Sequence, residues 1–307
     1  MSVVVCTLDR PEPLAECLRS LAAQRRPPDD VLVVDAGRRA PADGVVAGAA
    51  AHGLRVRRLA SEPGLPRQRN RGIDAAEGDV VLFLDDDVVL DPGYLQALLD
   101  VYASDPDGRI GGVGGAQVPD PTPAEPWHRR AWTRLFLLES YGRGRVKRSG
   151  HVEYCLSPSA PVDVEFLSGC NMSFRRAVLD RVRFDERLAG YALGEDIEMS
   201  HRVARAWRLV LTPAARCDHR HVAGGRPARD DFRAMAVFNK YLFFREQVAR
   251  RPADWLWYAW ASLGDLLTRL RAPRRRGLRG LLRGTRHVLR HVRRGALPPG
   301  YGGPVPA

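Results

Sequence analysis

Three consecutive aspartates, Asp85, Asp86 and Asp87, interrupt the apolar stretch DVVLFLDDDVVLDPGYL over residues 79–95. Like charges gathered at one strand end repel, and a divalent cation removes that cost. Carboxylate oxygens suit Mg2+ or Mn2+, which commonly keep waters and share themselves with substrate phosphates. In an extended segment a D-x-D spacing points Asp85 and Asp87 the same way, because strand side chains alternate with period two. The competing reading is a solvated turn that caps the next helix. Asp91 already stands where a cap is needed, immediately before Pro92. Asp86 has no assignment. A second acidic cluster, Glu195-Asp196-Ile197-Glu198, follows Gly194. Acids there either complement the dipole of a first helical turn or hold a general base near the metal. A further carboxylate, Asp35, closes the apolar run VLVVD.

These residues need a scaffold that delivers strand ends to one place. The first hundred residues alternate short apolar runs with helical patterns, the signal of an α/β fold with a mostly parallel sheet and helices on both faces. Strands are expected at 2–6, 31–35, 54–59 and 79–84, and helices at 13–24, 43–52, 66–76 and 92–104. In such sheets ligands bind beyond the carboxyl ends of the strands, where Asp35 and the aspartate triplet lie. The middle of the chain is expected to hold a Gly-rich strand at 110–118, a helix from Trp127 to about Tyr141, and loop with hairpin over 142–165. A strand, Gly turn, strand and helix follow over 164–182. A helix at 195–207 and a strand at 208–213 complete the body, and from about Asp230 the pattern is helical only.

At 307 residues and 45% apolar content the chain can bury a large core. Its five cysteines are odd in number and form no C-x-x-C pair, which points to a reducing, cytoplasmic setting without a disulfide framework. No export signal precedes the first strand. The most apolar stretch, WLWYAWASLGDLLTRL over 255–270, is broken by Asp265 and is shorter than the ~20 apolar residues of a membrane span. Net charge is +12, yet ten arginines and no acid fall between Arg271 and Arg294, so the body is near neutral. Basicity therefore argues for a polyanionic partner of the tail alone.

Taken in order, these segments resemble family 2 glycosyltransferases, the inverting nucleotide-sugar enzymes of GT-A fold. SVVVCTLDRPEPLAECLRSL looks like the family's opening strand, Arg-containing loop and helix, and VLVVDAG like its second strand. GLPRQRNRGIDAAEGDVVLFLDDD resembles the RN-x-G stretch and the D-x-D strand. FLSGCNMSFRR is similar to the acceptor-side Gly-Asn turn, and GEDIEMSHRVARAWRLVLTPAARCDHRH to the E-D helix, next strand and terminal His. The resemblance covers residues 2–221, with a GT-A domain expected over 1–222 and a helical, Arg-rich extension over 223–307. Within the domain, 1–105 would form the nucleotide-binding half and 106–222 the acceptor half. It implies that Asp35 and the loop Thr7, Asp9 and Arg10 contact base and ribose, with Arg69 near the nucleotide. Asp85 and Asp87 would hold Mn2+ or Mg2+ on the diphosphate, with His219, or its rival His221, as a further ligand. Asp196 would be the catalytic base, with Glu195 beside it orienting acceptor or donor sugar and Gly169 and Asn171 on the sugar side. The implied donor is UDP- or dTDP-linked. The implied acceptor is a hydroxyl on a lipid-linked glycan, a polysaccharide precursor or a secondary metabolite.

The chain departs from processive members, which carry Q-x-x-R-W and membrane spans. Its matching segment is HRVARAW, and this points to single-sugar transfer. A sugar-phosphate nucleotidylyltransferase is the alternative enzyme, but that class opens with a Gly-rich loop where this chain has CTLDRP. A non-catalytic membrane- or nucleic-acid-binding protein is the third reading, and the intact acids oppose it. Wound as a helix, 276–294 sets Leu278, Leu281, Leu282, Val288, Leu289 and Val292 on one face and arginines on another. That is the pattern of a helix lying on an anionic membrane surface, with Trp255, Trp257, Tyr258 and Trp260 at headgroup level. The protein is then peripheral on the inner face of the membrane. The rival arrangement packs the apolar stripe on the body. No nucleic-acid partner is expected, since no reading motif accompanies the arginines.

Overall fold

The computed structural model describes residues 1–39, 42–188, 191–222, 227–272, 277–295 and 297. Four parallel strands start the chain: β1 (Ser2–Thr7), β2 (Asp30–Asp35), β3 (Val56–Ala60) and β4 (Val80–Asp85). They lie in the order β4-β1-β2-β3, joined through α1 (Pro11–Ala22), α2 (Asp43–Ala51) and α3 (Leu65–Ala75). The β-branched runs of β1 and β2 are buried on both faces. Val3, Val5, Val31 and Val33 face one core with Leu14 and Leu18 of α1, while Val4, Leu32 and Val34 face a second with Ile73 of α3. Helices therefore cover both sides of the sheet, as unbroken apolar strands require.

The sheet continues through β5 (Val88–Leu90), β6 (Ile110–Gln117), β10 (Val162–Val164), β11 (Asn171–Arg175) and β12 (Arg208–His219). Strand β11 runs antiparallel between β4 and β6, and β12 lies parallel to β6. Helices α4 (Tyr94–Ala103), α5 (Trp127–Leu135), α6 (Arg176–Leu179) and α7 (Glu195–Val203) accompany them. The short strands β7 (Ser140–Tyr141), β8 (Arg145–Val146) and β9 (Val152–Tyr154) make a separate small sheet.

Three local expectations are corrected. The strand expected to end at Pro213 runs on to His219, because a register shift between Thr212 and Arg216 absorbs the proline and pairing resumes. Asp91 does not cap α4 with its side chain: the N-cap is Gly93, and the Asp91 carboxylate lies 3.6 Å from Arg216. Helix α5 stops at Leu135, where the chain turns through Leu137 at φ 50°.

The C-terminal part is helical: α8 (Arg229–Phe243), a π-helical turn over Phe244–Val248, α9 (Asp254–Arg271) and α10 (Leu278–Arg294). Helix α10 packs on α8 through Gly280 and Gly284. A Cβ on Gly280 would meet the Asp230 carbonyl at 2.5 Å, and one on Gly284 would meet Val237 at 2.6 Å. This close approach divides the apolar face expected for the tail. Leu281 is buried and Val288 packs beside Phe238, Tyr241 and Leu242, whereas Leu282, Leu289 and Val292 are exposed. Arg274, Arg275 and Arg276 lie outside the described residues.

Helix α9 presents Leu256, Trp260, Leu263 and Leu270 outward, spaced by four, three and seven residues along one face. Trp260 is fixed there by donating its indole N–H to the Leu135 carbonyl at 2.7 Å and by stacking on Phe136. Of the aromatics expected at headgroup level, Tyr258 instead packs against Phe244, with ring centroids 4.7 Å apart. Among the described residues no helix is long and apolar enough to cross a membrane.

Candidate active site

The carboxyl ends of β1 and β4, the N-terminus of α7 and the end of β12 open into one cavity of about 1150 Å3. The aspartate triplet sits where β4 gives way to a turn. Asp85 is the last residue of β4, and Asp86 and Asp87 form the turn into β5. The expected period-two alternation is thus not what aligns Asp85 with Asp87. The turn does so, and it sends Asp86 the other way. β5 pairs with the end of β12, matching Val88 with His219. Ligand atoms of Asp85, Asp87 and His219 consequently lie within 4.8 Å of one another. His219 Nε2 is 3.2 Å from Asp87 and 3.9 Å from Asp85, and the His221 ring lies beside it at 3.9 Å between centroids.

Asp86, unassigned from sequence, is a buried anchor. It accepts from the Thr7 hydroxyl at 2.7 Å and from Arg10 at 2.6 Å. Arg10 also donates to Asp87 at 2.9 Å, so one guanidinium fixes two of the three aspartates. Burial pushes Asp86 up to about 7 against the pull of Arg10 and Thr7. Asp87 resists the same burial, because His219 and Arg10 hold it well below the usual carboxylate range. His219 is moved up to about 10: burial opposes its charge, but its bonds with Asp87 and Cys170 prevail.

Arg69, on α3, is fully buried and joins the two acidic clusters. It donates to Glu195 at 2.5 Å, to the Gly169 carbonyl at 3.0 Å and to Asp85 at 3.4 Å, with its guanidinium over the Phe184 ring. Burial, reinforced by the neighbouring Asp196 charge, pushes Glu195 up to about 8 even against Arg69. Both acids line the cavity, but the Glu195 carboxylate is buried against Arg69. Asp196 is oriented by two backbone N–H groups, Gly169 at 2.7 Å and Ile197 at 2.9 Å, one on each oxygen. Each oxygen keeps a further lone pair for a ligand. A Cβ on Gly169 would lie 3.0 Å from Arg69 and 3.1 Å from Asp196, so one of them would have to yield by a few tenths of an ångström.

The cavity therefore gathers Thr7, Arg10, Arg69, Asp85, Asp87, Gly169, Glu195, Asp196 and His219. It leaves out three residues singled out from sequence. Asp35 has its carboxylate enclosed by the Gly37 and Ala42 N–H groups and by Arg58 at 2.8 Å. Asp9 accepts from the Arg39 backbone N–H, and Asn171 donates inside the sheet to Gly115 and Cys217. Sequence reasoning missed Gln68, whose amide bridges the carbonyls of Thr7 and Val34 and ties the ends of β1 and β2 together. It also missed a wall built by α8, with Arg233 and Lys240, and by His151 beside β9. No motif marks these residues, because they meet the site only through tertiary packing.

A largely parallel α/β sheet with an aspartate turn at a strand end and an E-D helix beside it defines the GT-A glycosyltransferase class. The sequence model described as "Glycosyl transferase family 2" matches residues 2–183, more than half of the chain, and the protein belongs to that family. Membership sets aside the nucleotidylyltransferase reading. A curated relative, the glucosyl-dolichyl phosphate glucuronosyltransferase of Haloferax volcanii, is 31% identical over 186 residues, 58% of this chain and 53% of the relative. The chain thus spans about half the length of that relative. Among solved structures, the Pyrobaculum calidifontis mannosyltransferase PcManGT in complex with GDP-Man and Mn2+ superposes with TM-score 0.55 at 16% identity, covering 97% of this chain and 76% of that one. S. aureus TarS 1-349 in complex with UDP-GlcNAc gives TM-score 0.53 at 17% identity, covering 89% and 76%. At these identities the likeness speaks for the fold.

Proposed function

We propose that the protein transfers a single sugar from a UDP- or dTDP-linked donor to an acceptor hydroxyl, in one inverting displacement supported by a divalent cation. One observation carries this reading: the cavity that holds the Asp85, Asp87 and His219 ligand atoms also holds Asp196, oriented by two backbone N–H groups. The donor set fits a cation. Two carboxylates and one imidazole favour Mn2+ over Mg2+, because imidazole is a poor partner for the harder ion. When bound there, Mn2+ neutralises charge that grows on the departing diphosphate. The chain's own part is orientation and proton transfer. Arg10 and Asp86 lock the turn that carries Asp87, Arg69 holds Asp85 and Glu195, and Asp196 takes the acceptor hydroxyl proton on a free lone pair. The attack then comes from the face opposite the diphosphate, which inverts the anomeric centre.

The acceptor reading is a lipid-linked glycan. It draws on the name of the Haloferax volcanii relative, whose substrate carries dolichyl phosphate. A place on the inner face of an anionic membrane is part of the same reading. Its support is the outward stripe of α9, Leu256, Trp260, Leu263 and Leu270, together with the exposed Leu282 and Leu289 among the arginines of α10.

Asp196→Asn tests the base directly. The variant should bind nucleotide as the wild type does and lose turnover by ~10²–10⁴-fold. Undiminished transfer would remove Asp196 from the mechanism.

A further inference from the structure

The metal corner occupies one end of the cavity, and the cavity does not stop there. Beyond Asp196 it continues beneath α8 and α9, elements C-terminal to the 2–183 segment that the family model matches. This second end is walled by His151, Tyr154, Arg233, Lys240, Asp265 and Glu139. Arg233 and Lys240 stand seven residues apart, on the same face of α8 and about 10 Å apart along its axis.

Lys240 is held where a cation is expensive. Its side chain is only 15% exposed, lies 5.7 Å from the Tyr258 ring and has its charge disfavoured by burial. An ammonium has three donors. One goes to His151 Nε2 at 2.9 Å, while Asp265 is 3.9 Å away, too far for a hydrogen bond. Asp265 is also shared with Arg269 at 3.7 Å, whose Nε is buried and has no hydrogen-bond partner among the described residues. His151 stays neutral, since burial and the neighbouring lysines push it well below its usual range. Among the described residues, Arg233 and Lys240 line the cavity beside the carboxylates Glu139 and Asp265, with Lys147 and Arg269 as further cations close by. Two of the three Lys240 donors have no partner within hydrogen-bond distance among these residues.

We infer that this end of the cavity is a subsite for a phosphate group carried by the acceptor, read by Lys240 and Arg233. The inference rests on the proposed transfer reaction, in which the acceptor must reach Asp196 from the side away from the diphosphate. Phosphate complements the excess positive charge, fills the unused donors and supplies several acceptor oxygens at once. The residues that recognise it come from the helical extension, so acceptor choice is separated from the donor machinery of the sheet.

Equilibrium binding without donor or metal tests the subsite apart from turnover, so it can fail while the proposed reaction stands, and the reverse. Calorimetry would compare geranyl phosphate, geraniol, glucose 1-phosphate and inorganic phosphate on the full chain. Geranyl phosphate should bind at least ~10-fold more tightly than geraniol, and Lys240→Met and Arg233→Met should each erase most of that difference. Lys240→Arg should restore it, which a purely structural role for the lysine does not require once melting temperatures show all variants folded. Tight binding of geranyl phosphate alone supports a lipid source for the group. Equal binding of glucose 1-phosphate supports a soluble sugar phosphate. Equal affinities for geraniol and geranyl phosphate would overturn the inference. So would phosphate binding that survives both methionine variants.

Discussion

At the scale of single residues, the chemistry depends on carboxylates that differ in how they are held. Asp87 is kept ionised by Arg10 and His219, Glu195 is turned into Arg69, and Asp196 is left facing the cavity. Residue types and spacing pointed to Asp85, Asp87 and the E-D pair. They were silent on Asp86, because its partners Thr7 and Arg10 lie 79 and 76 positions away in the chain. Asp35 shows the converse: its position at a strand end is conspicuous in the sequence, while the three hydrogen bonds its carboxylate accepts from Gly37, Ala42 and Arg58 are not. Gly169 gives a test at this scale. Gly169→Ala would press a methyl group on Arg69 and Asp196 and move the carboxylate. Turnover should fall by ~10²-fold, the cost of a misplaced reacting group, with nucleotide affinity little changed. A variant of normal turnover would show that the Asp196 orientation is not critical.

At the scale of elements, apolar runs made the first four strands and their helices legible, since β1, β2 and β4 are buried on both faces and only the edge strand β3 is half-exposed. The end of β12 was not legible, because Pro213 reads as a stop and the register shift that passes it depends on β6. That extension matters, as it carries His219 to the aspartate turn. The contact between His151 and Lys240 was equally hidden, and it predicts a pH effect. Burial keeps His151 neutral in the folded chain, so the unfolded chain binds more protons below ~6.5. Its folded pKa is depressed, and stability is therefore lost as pH falls through the unfolded value, by at most ~1.4 kcal/mol per pH unit. Urea denaturation at pH 7.5 and 5.5 should show a smaller drop for His151→Gln than for the wild type. Equal drops would mean that His151 titrates alike in both states.

At the scale of the whole molecule, the sheet gathers the donor-side acids while the C-terminal helices close the far end of the cavity and present an apolar stripe outward. The tail was readable as amphipathic, but the sequence did not reveal which half of its apolar face is covered. Gly280 and Gly284 decide that by letting α10 approach α8, and their effect depends on a partner helix. The outward surface belongs chiefly to α9. A Leu256→Ser, Leu263→Ser double variant should co-sediment less than the wild type with phosphatidylglycerol vesicles, and unchanged partitioning would remove α9 from the membrane reading. The central claim is that Asp85, Asp87 and His219 form a cation site serving a nucleotide diphosphate. Its most direct test is the melting temperature with UDP, with and without Mn2+, in the wild type and in Asp85→Ala, Asp87→Ala. A ligand at 100 times its dissociation constant stabilises by ~2.7 kcal/mol, which is a shift of several degrees. The wild type should show that shift with Mn2+ and UDP together and the double variant should not, whereas an equal shift in both would contradict the site.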